Sequence, residues 1–281
     1  MPELEPAGPL LTSALFEPLG DELLALLRGL ARDDWTRRTV CADWTVQDLA
    51  AHLLDTALRR LSIERDGHTP PPPDRAIGSY RDLVEFLNDL NKAWVIAWRR
   101  MSPETLIDAM ATAERGLAEH LPRIDPFAQA RFSVAWAGEE ESLNWFDQAR
   151  ELTERWHHQQ QIRLAVGAPT LDEPRYSRPV LETFLHALPH RYQTMAAPRG
   201  TTVSLRIDGR EAYEFTLRRD DRWVLLRGVA ATAEAGVVMT EQDAWLLLTK
   251  GLAGTDARHR AQVGGDQALL RPIFETLAVM A

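Results

Sequence analysis

A glutamate and a histidine at helical spacing are the first candidates for chemistry in this chain. Glu154 and His158 lie four residues apart in a segment whose pattern predicts a long helix. Side chains at i and i+4 project from one face about one turn apart, so two such ligands could share a metal ion. Arg150, Glu151 and Gln161 fall in the same sector of that helix. The alternative interpretation is the solvated face of an amphipathic helix.

A third candidate, His52, lies in a second predicted helix. That helix starts near Thr45, with Asp48 three residues later in the position of a capping box. His52 lies at the edge of its apolar stripe, and Asp55 follows three residues on. A histidine there could complete a three-ligand site with Glu154 and His158, or simply pack at the boundary of the core. Spacing along the sequence leaves both open.

The elements that must position these residues are predicted to be mainly helical up to residue 166. A third helix is predicted over Tyr80–Arg100, and Ser102-Pro103 marks a new helix start. The long helix runs from about Glu140 to Val166 and ends before Gly167 and a proline. Long helices with longish connections predict an antiparallel four-helix bundle over residues 1–168.

The pattern changes after a linker rich in proline and charge, placed at residues 169–177. Residues 202–207 alternate between apolar and polar types, and Asp208-Gly209 is a hairpin signal. Further short strands and then helices are predicted towards the end of the chain. Strands followed by helices indicate a small α+β domain over residues 178–281. The predicted fold class is therefore mixed, a helical bundle followed by an α+β domain.

Composition limits the classes of function. The chain has 281 residues, a formal net charge of −9 and a single cysteine, Cys41. A nucleic-acid-binding protein would need a basic surface, so we expect no nucleic-acid partner. An intrachain disulfide needs two cysteines. The first residues lack a basic region, and we find no apolar run of membrane-spanning length. We expect a cytoplasmic protein without membrane contact, as a monomer or homodimer.

Two motifs give the chain a family resemblance. Residues 41–53, CADWTVQDLAAHL, resemble the C-x-x-W-T-V-x-D-L-x-x-H-L signature that opens the mycothiol-dependent maleylpyruvate isomerase family. That family belongs to the DinB-like superfamily of helical bundles. Glu154-x-x-x-His158, followed by Ile162 and Gly167, is similar to the second segment of the family. The stretch around Val263-Gly264-Gly265-Asp266 is similar to its sterol-carrier-like C-terminal domain.

The resemblance implies a metal site and a thiol cofactor. Carried over by position, the metal ligands fall on His52, Glu154 and His158. Three protein ligands leave an open fourth position, as a catalytic zinc site requires. Glu151 remains a rival to Glu154. Zinc is the first expectation, with nickel or another divalent metal as the alternative, and mycothiol or a similar low-molecular-weight thiol is the expected cofactor.

The implied activity is addition of a thiolate to an electrophilic small molecule that could be anionic, by an isomerase or an S-transferase. No nucleophile is expected from the protein, because Cys41 has no adjacent activating group. The alternatives are a non-catalytic protein that binds a metal or small molecule, and a structural metal that pins two helices. The usual four ligands of structural zinc argue against the last.

The chain departs from the family pattern at two places. Gln161 stands where many relatives have an acid, and Thr249-Lys250-Gly251-Leu252 stands where many have an arginine ahead of the C-terminal glycine-aspartate segment. We predict anion-binding roles for Lys250, Arg258 and Arg260 in its stead, although lysine lacks the bidentate fork of arginine. The predicted residues that support the site or contact substrate are Glu151, Gln161, Arg150 and Asp55.

Overall fold

The computed structural model describes residues 4–41 and 43–278, and only the backbone of Tyr80. The described chain divides into two units, each discontinuous in sequence. The helical unit comprises Leu11–Arg131 and Glu151–Leu171. The sheet unit comprises Phe132–Arg150 together with the described residues before Leu11 and after Leu171. The independent domains over 1–168 and 178–281, with a linker at 169–177, stay a prediction.

The helical unit is built from amphipathic helices whose apolar faces are buried. Its helices are α1 (Phe16–Arg28), α2 (Val46–Arg60), α3 (Tyr80–Trp98), α4 (Pro103–His120) and the part of α5 (Asn144–Val166) that starts at Glu151. Helix α1 packs against α4, and α2 packs against both α3 and α4. Leu49, Leu53 and Met110 are fully buried in this core.

Helix α2 begins where its sequence predicts. The Thr45 hydroxyl accepts a hydrogen bond from the Asp48 backbone N–H at 3.3 Å, and the Asp48 carboxylate accepts one from the Thr45 N–H at 2.9 Å. This reciprocal capping box satisfies two amides at the helix start. The Asp48 carboxylate also accepts two hydrogen bonds of 2.9 Å from the Arg99 guanidinium.

Two further contacts set the position of α2. The Trp94 indole N–H donates to the Ala51 carbonyl at 2.8 Å, which joins α3 to α2 beside His52. At its other end, α2 runs into a π-helical turn at Leu61–Arg65. Such turns are rare, because their backbone hydrogen bonds span five residues, and they occur often near functional sites.

The sheet unit carries the strands and the remaining helices. These are β1 (Glu5–Pro6), α6 (Pro174–Leu185), α7 (Leu188–Arg191), β2 (Thr202–Asp208), β3 (Ala212–Arg219), β4 (Trp223–Arg227), β5 (Ala235–Thr240), α8 (Glu241–Leu248), α9 (Gly254–Arg260), β6 (Gln262–Gly265) and α10 (Gln267–Phe274). The strand order is β1-β4-β3-β2-β5-β6, and within the part of the chain that the structure describes only β2 and β5 pair in parallel. The hairpin predicted at Asp208-Gly209 joins β2 to β3.

The mixed fold class is confirmed, with helices predominating in the N-terminal region and the sheet in the C-terminal region. Among the described residues, no helix combines the length and apolar character that crossing a membrane requires. Helix α5 starts at Asn144, four residues later than the predicted Glu140. The antiparallel four-helix arrangement and the sterol-carrier-like character of the sheet unit stay predictions.

Candidate metal centre

Helices α2 and α5 bring the three predicted ligands of the helical unit together. Oε1 of Glu154 lies 3.0 Å from Nε2 of His52 and 3.2 Å from Nε2 of His158. One ligand atom from each residue lies within 4.8 Å of the other two. The imidazole rings of His52 and His158 meet edge to face, with centroids 4.9 Å apart. Residues 102 positions apart in sequence therefore form one cluster.

The electrostatics of the cluster favour an ion pair beside a neutral ring. Burial opposes the charge of Glu154, but the charges and hydrogen bonds of both histidines hold the pKa of this carboxyl well below its ordinary value. Burial also opposes the charge of His158, but the Glu154 carboxylate outweighs it and raises the pKa of His158. At His52 burial dominates and lowers the pKa. The charged forms of Glu154 and His158 therefore stabilise each other, whereas burial disfavours the charged form of His52.

The donor set fits a divalent metal. Two imidazole nitrogens and one carboxylate oxygen match the ligand chemistry of zinc, and they converge from two helices. His52 and His158 are buried, whereas 31% of the Glu154 side chain is exposed. The Trp44 ring lies 5.0 Å from that of His52 and covers one side of it. The histidines of the cluster are therefore enclosed by the protein, while the carboxylate is partly accessible.

Glu151, the rival carboxylate, is held elsewhere. Its oxygens lie 3.6 Å from Nη1 of Arg60 and 3.7 Å from Nε of Arg155. Arg155 also donates a 2.6 Å hydrogen bond to Glu114, whose pKa burial raises against the opposing charge of Arg155. These side chains are buried. The geometry therefore brings Glu154 to the two histidines and places Glu151 in an internal charge network.

Gln161 lies directly behind His158. Its Oε1 accepts a hydrogen bond from Nδ1 of His158 at 2.7 Å, and its Nε2 lies 2.9 Å from Nε2 of His157. The Cys41 thiol also donates to Oε1, at 3.4 Å. Burial raises the pKa of this thiol, against the hydrogen bonds from Gln161 and Thr39. A half-buried thiol with a raised pKa is a poor nucleophile, in line with the expectation that the chain supplies none.

The other predicted residues are engaged in local ion pairs. Arg150 binds Asp147 at 2.8 Å in the first turns of α5. Asp55 pairs with Arg59 at 3.1 Å, and burial raises the pKa of Asp55 despite that charge.

In the sheet unit, the three predicted anion-binding residues lie around α8 and α9. Arg258 stacks on the Phe274 ring and donates to Gln267, while Arg260 pairs with Asp243 at 3.1 Å. Lys250 follows α8 in a left-handed conformation with φ of 65°. Their role in anion binding stays a prediction.

Sequence reasoning missed two neighbours of the cluster. His157 was not among the predicted site residues, but its ring lies 5.1 Å from that of His158 and its Nε2 contacts Gln161. Trp44 was noted only as part of the family signature, although it packs on His52. Adjacent positions on a helix diverge by about 100°, so only the long buried side chain of Gln161 connects His157 to this face.

The fold and the cluster together define a protein of mixed helix and sheet with a candidate His₂Glu metal centre in its helical unit. The family model of the mycothiol maleylpyruvate isomerase N-terminal domain matches residues 16–163, which include all three residues of the cluster. The chain belongs to this family.

Solved structures agree with that assignment. A crystal structure of the mycothiol-dependent maleylpyruvate isomerase matches with a TM-score of 0.54 at 12% identity, covering 92% of this chain and 93% of that one. A histidine-to-alanine mutant of that enzyme matches over the same shares, with 12% identity and a TM-score of 0.53. At this identity the likeness shows the fold alone.

One more solved structure and the search of curated proteins add nothing to the family assignment. Sterol carrier protein 2 like 2 from Aedes aegypti covers 36% of this chain and 98% of its own, at 20% identity, but with a TM-score of 0.28. The comparison with curated proteins found no match.

Proposed function

We propose that the chain is a metal-dependent enzyme that uses a low-molecular-weight thiol of the mycothiol type against an electrophilic small molecule, as an isomerase or an S-transferase. One observation carries the proposal. His52, Glu154 and His158 converge from α2 and α5 in a region that matches the family model. One solved structure that the chain resembles is that of a mycothiol-dependent maleylpyruvate isomerase.

In this proposal the metal ligands are Nε2 of His52, a carboxylate oxygen of Glu154 and Nε2 of His158. A divalent ion bound there, zinc by first expectation, supplies positive charge that lowers the pKa of a coordinated thiol so that the thiolate forms at neutral pH. Three protein ligands leave room for that exogenous group. The exposed part of Glu154 marks the side from which it would enter.

The residues of the chain then have separate tasks. Nε2 of His52 and Nε2 of His158 both lie within hydrogen-bonding distance of Oε1 of Glu154, so each nitrogen that donates to this carboxylate must give up its proton to bind a metal. Trp44 packs beside the His52 ring, with centroids 5.0 Å apart. Cys41 stays protonated and lies behind His158, so the reactive sulfur comes from the cofactor and not from the chain.

The architecture proposed around this site is an antiparallel helical bundle. Packing of α1 on α4 and of α2 on α3 and α4 supports it, and the cluster joins α5 to α2. A rigid bundle holds ligands on facing helices within the narrow tolerance that a metal requires.

Cobalt-substituted protein offers the direct test, because a thiolate bound to cobalt gives a sulfur-to-metal absorption band. Mycothiol added to the cobalt protein should produce this band, and the thiol-loaded protein should convert maleylpyruvate or form thioethers with a panel of electrophiles. Glu151→Gln is the matched control, since it removes a carboxylate one turn from Glu154 and should keep the band. Cobalt binding without a thiol band would favour a non-catalytic binding protein.

A further inference from the structure

Three consecutive glutamines on α5 have different surroundings. All of them are buried. The Gln159 amide donates to the Leu19 carbonyl at 3.1 Å, and the Gln160 amide forms a reciprocal pair with the backbone of Leu171. Gln159 and Gln160 therefore join α5 to the backbone of Leu19 and Leu171 in the helical unit. The side-chain amide of Gln161 instead contacts three side chains at the metal centre, those of Cys41, His157 and His158.

The chemistry of an amide fixes the protons around Gln161. An amide oxygen only accepts hydrogen bonds and an amide nitrogen only donates them. Since Oε1 of Gln161 lies 2.7 Å from Nδ1 of His158, that nitrogen carries a proton. Since Nε2 of Gln161 lies 2.9 Å from Nε2 of His157, that nitrogen is the acceptor and the His157 proton sits on Nδ1.

The orientation of the amide is itself selected by two neighbours. The Cys41 thiol donates to Oε1, so the oxygen must face Cys41 and His158. Nε2 of His157 lies 2.9 Å from Nε2 of Gln161, so this ring nitrogen accepts the amide proton. Rotating the amide by half a turn would direct its N–H groups at Nδ1 of His158 and at the thiol, while its oxygen would face the His157 acceptor.

We infer that Gln161 is a positioning residue for the metal ligand His158, because its oxygen holds the Nδ1 proton and leaves Nε2 directed at Glu154 and the metal. This inference rests on the proposed function and names how one ligand of that site is held. Ligating histidines generally donate their second ring N–H to an outer acceptor, which fixes tautomer and ring orientation. In this chain the acceptor is a neutral amide, oriented in turn by His157 and Cys41.

Three variants distinguish a role of Gln161 in positioning His158 from a role in packing alone. Gln161→Met keeps the length of the side chain but removes the acceptor. Gln161→Glu keeps an acceptor for His158 while losing the donor to His157. Gln160→Met is the matched control, because it removes a buried amide from the neighbouring position without touching His158. Zinc affinity is measured by competition with a chelator on metal-free protein whose fold is checked by circular dichroism and thermal melting.

Gln161→Met should weaken zinc binding by about 10–100-fold, the usual cost of removing an outer partner of a ligating histidine. Gln161→Glu should bind zinc at least as tightly as the natural chain, because a charged acceptor strengthens the hydrogen bond to Nδ1. Gln160→Met should melt at a lower temperature but keep its zinc affinity. Unchanged affinity in a folded Gln161→Met protein would overturn the inference.

Nitrogen-15 NMR of histidine-labelled natural protein gives a second readout that packing alone would not move. It should show a proton on Nδ1 of His158 both without and with zinc, and Gln161→Met should lose this protected signal. A neutral His158 with its proton only on Nε2 would overturn the inference even if zinc binds. If the natural chain binds no zinc, the proposed function fails, while the metal-free spectrum still decides the role of Gln161.

Discussion

Exchanging Glu151 or Glu154 of α5 for glutamine should separate metal binding from stability. In Glu151→Gln the side chain keeps its shape but loses its charge between Arg60 and Arg155. At distances of 3.6 and 3.7 Å, each attraction is about 4–5 kcal/mol at an effective dielectric constant of about 20. Desolvation offsets part of this, and removing one partner of a buried pair costs about 3–5 kcal/mol.

Because the amide retains its packing, we expect Glu151→Gln to lower the free energy of unfolding by about 3 kcal/mol while zinc still binds. Glu154→Gln should instead lose zinc affinity while it keeps most of the stability of the natural chain. Its side chain is 31% exposed, so its ion pair with His158 contributes about 1 kcal/mol or less to stability. Loss of the anionic ligand should cost more zinc affinity than the about 10–100-fold lost with an outer partner.

Urea unfolding of the metal-free proteins and chelator competition for zinc measure the two effects on the same samples. The reasoning is refuted if Glu151→Gln loses zinc and keeps its stability, or if Glu154→Gln binds zinc like the natural chain. The first result would make Glu151 the carboxylate ligand, and the second would remove Glu154 from the ligand set.

The ion pairs of Asp48 and Arg155 and the thiol of Cys41 lead to three further predictions. Burial opposes ionisation of Asp48, but Arg99 and the cap amide lower the pKa of its carboxyl, so its stabilisation is present above about pH 4 and is lost as the pH falls further. Asp48→Asn should therefore destabilise the fold by about 1–2 kcal/mol near pH 7, and urea unfolding at acid pH should show the difference narrowing. Arg155→Met leaves Glu114 buried without its 2.6 Å partner and should cost about 3–5 kcal/mol in thermal or urea unfolding, most of it recovered by adding Glu114→Leu. Cys41→Ser should keep zinc affinity and any thiol-dependent turnover in steady-state assays, and loss of turnover in a zinc-loaded protein would assign the chain's own sulfur to the chemistry.

Local signals predicted the helices and strands well, because their causes are local. The capping box of Thr45 and Asp48 and the helix start at Ser102-Pro103 are confirmed. The hairpin at Asp208-Gly209 is confirmed by the pairing of β2 with β3. Each depends on backbone groups that neighbours within four residues satisfy.

Elements that depend on distant partners were missed. Strand β6 is short and rich in glycine, and it exists because Gln262–Gly265 pairs with β5. Strand β1 has two residues, which pair with β4. Neither segment carries an alternating pattern, so the sequence contains no local signal for them. The π-helical turn at Leu61–Arg65 was also missed, because no residue propensity distinguishes a π-helical turn from an α-helix.

The choice between a solvated face and a ligand face of α5 also depended on distant residues. Glu151 and Gln161 are buried, which contradicts the solvated interpretation for them. Helical spacing placed both glutamates on the His158 side and could not separate them. Arg60 and Arg155 draw Glu151 into the charge network, and only the packing of α2 and α4 on this region reveals it.

X-ray absorption at the zinc edge tests the central claim most directly. The account predicts about one zinc per chain, bound by two imidazole nitrogens at about 2.0–2.1 Å and by carboxylate oxygen, with no sulfur until a thiol is added. His52→Ala should remove one of the two nitrogens or abolish binding. A zinc site with a sulfur ligand in the thiol-free protein, or no stoichiometric zinc at all, would contradict the assignment of His52, Glu154 and His158.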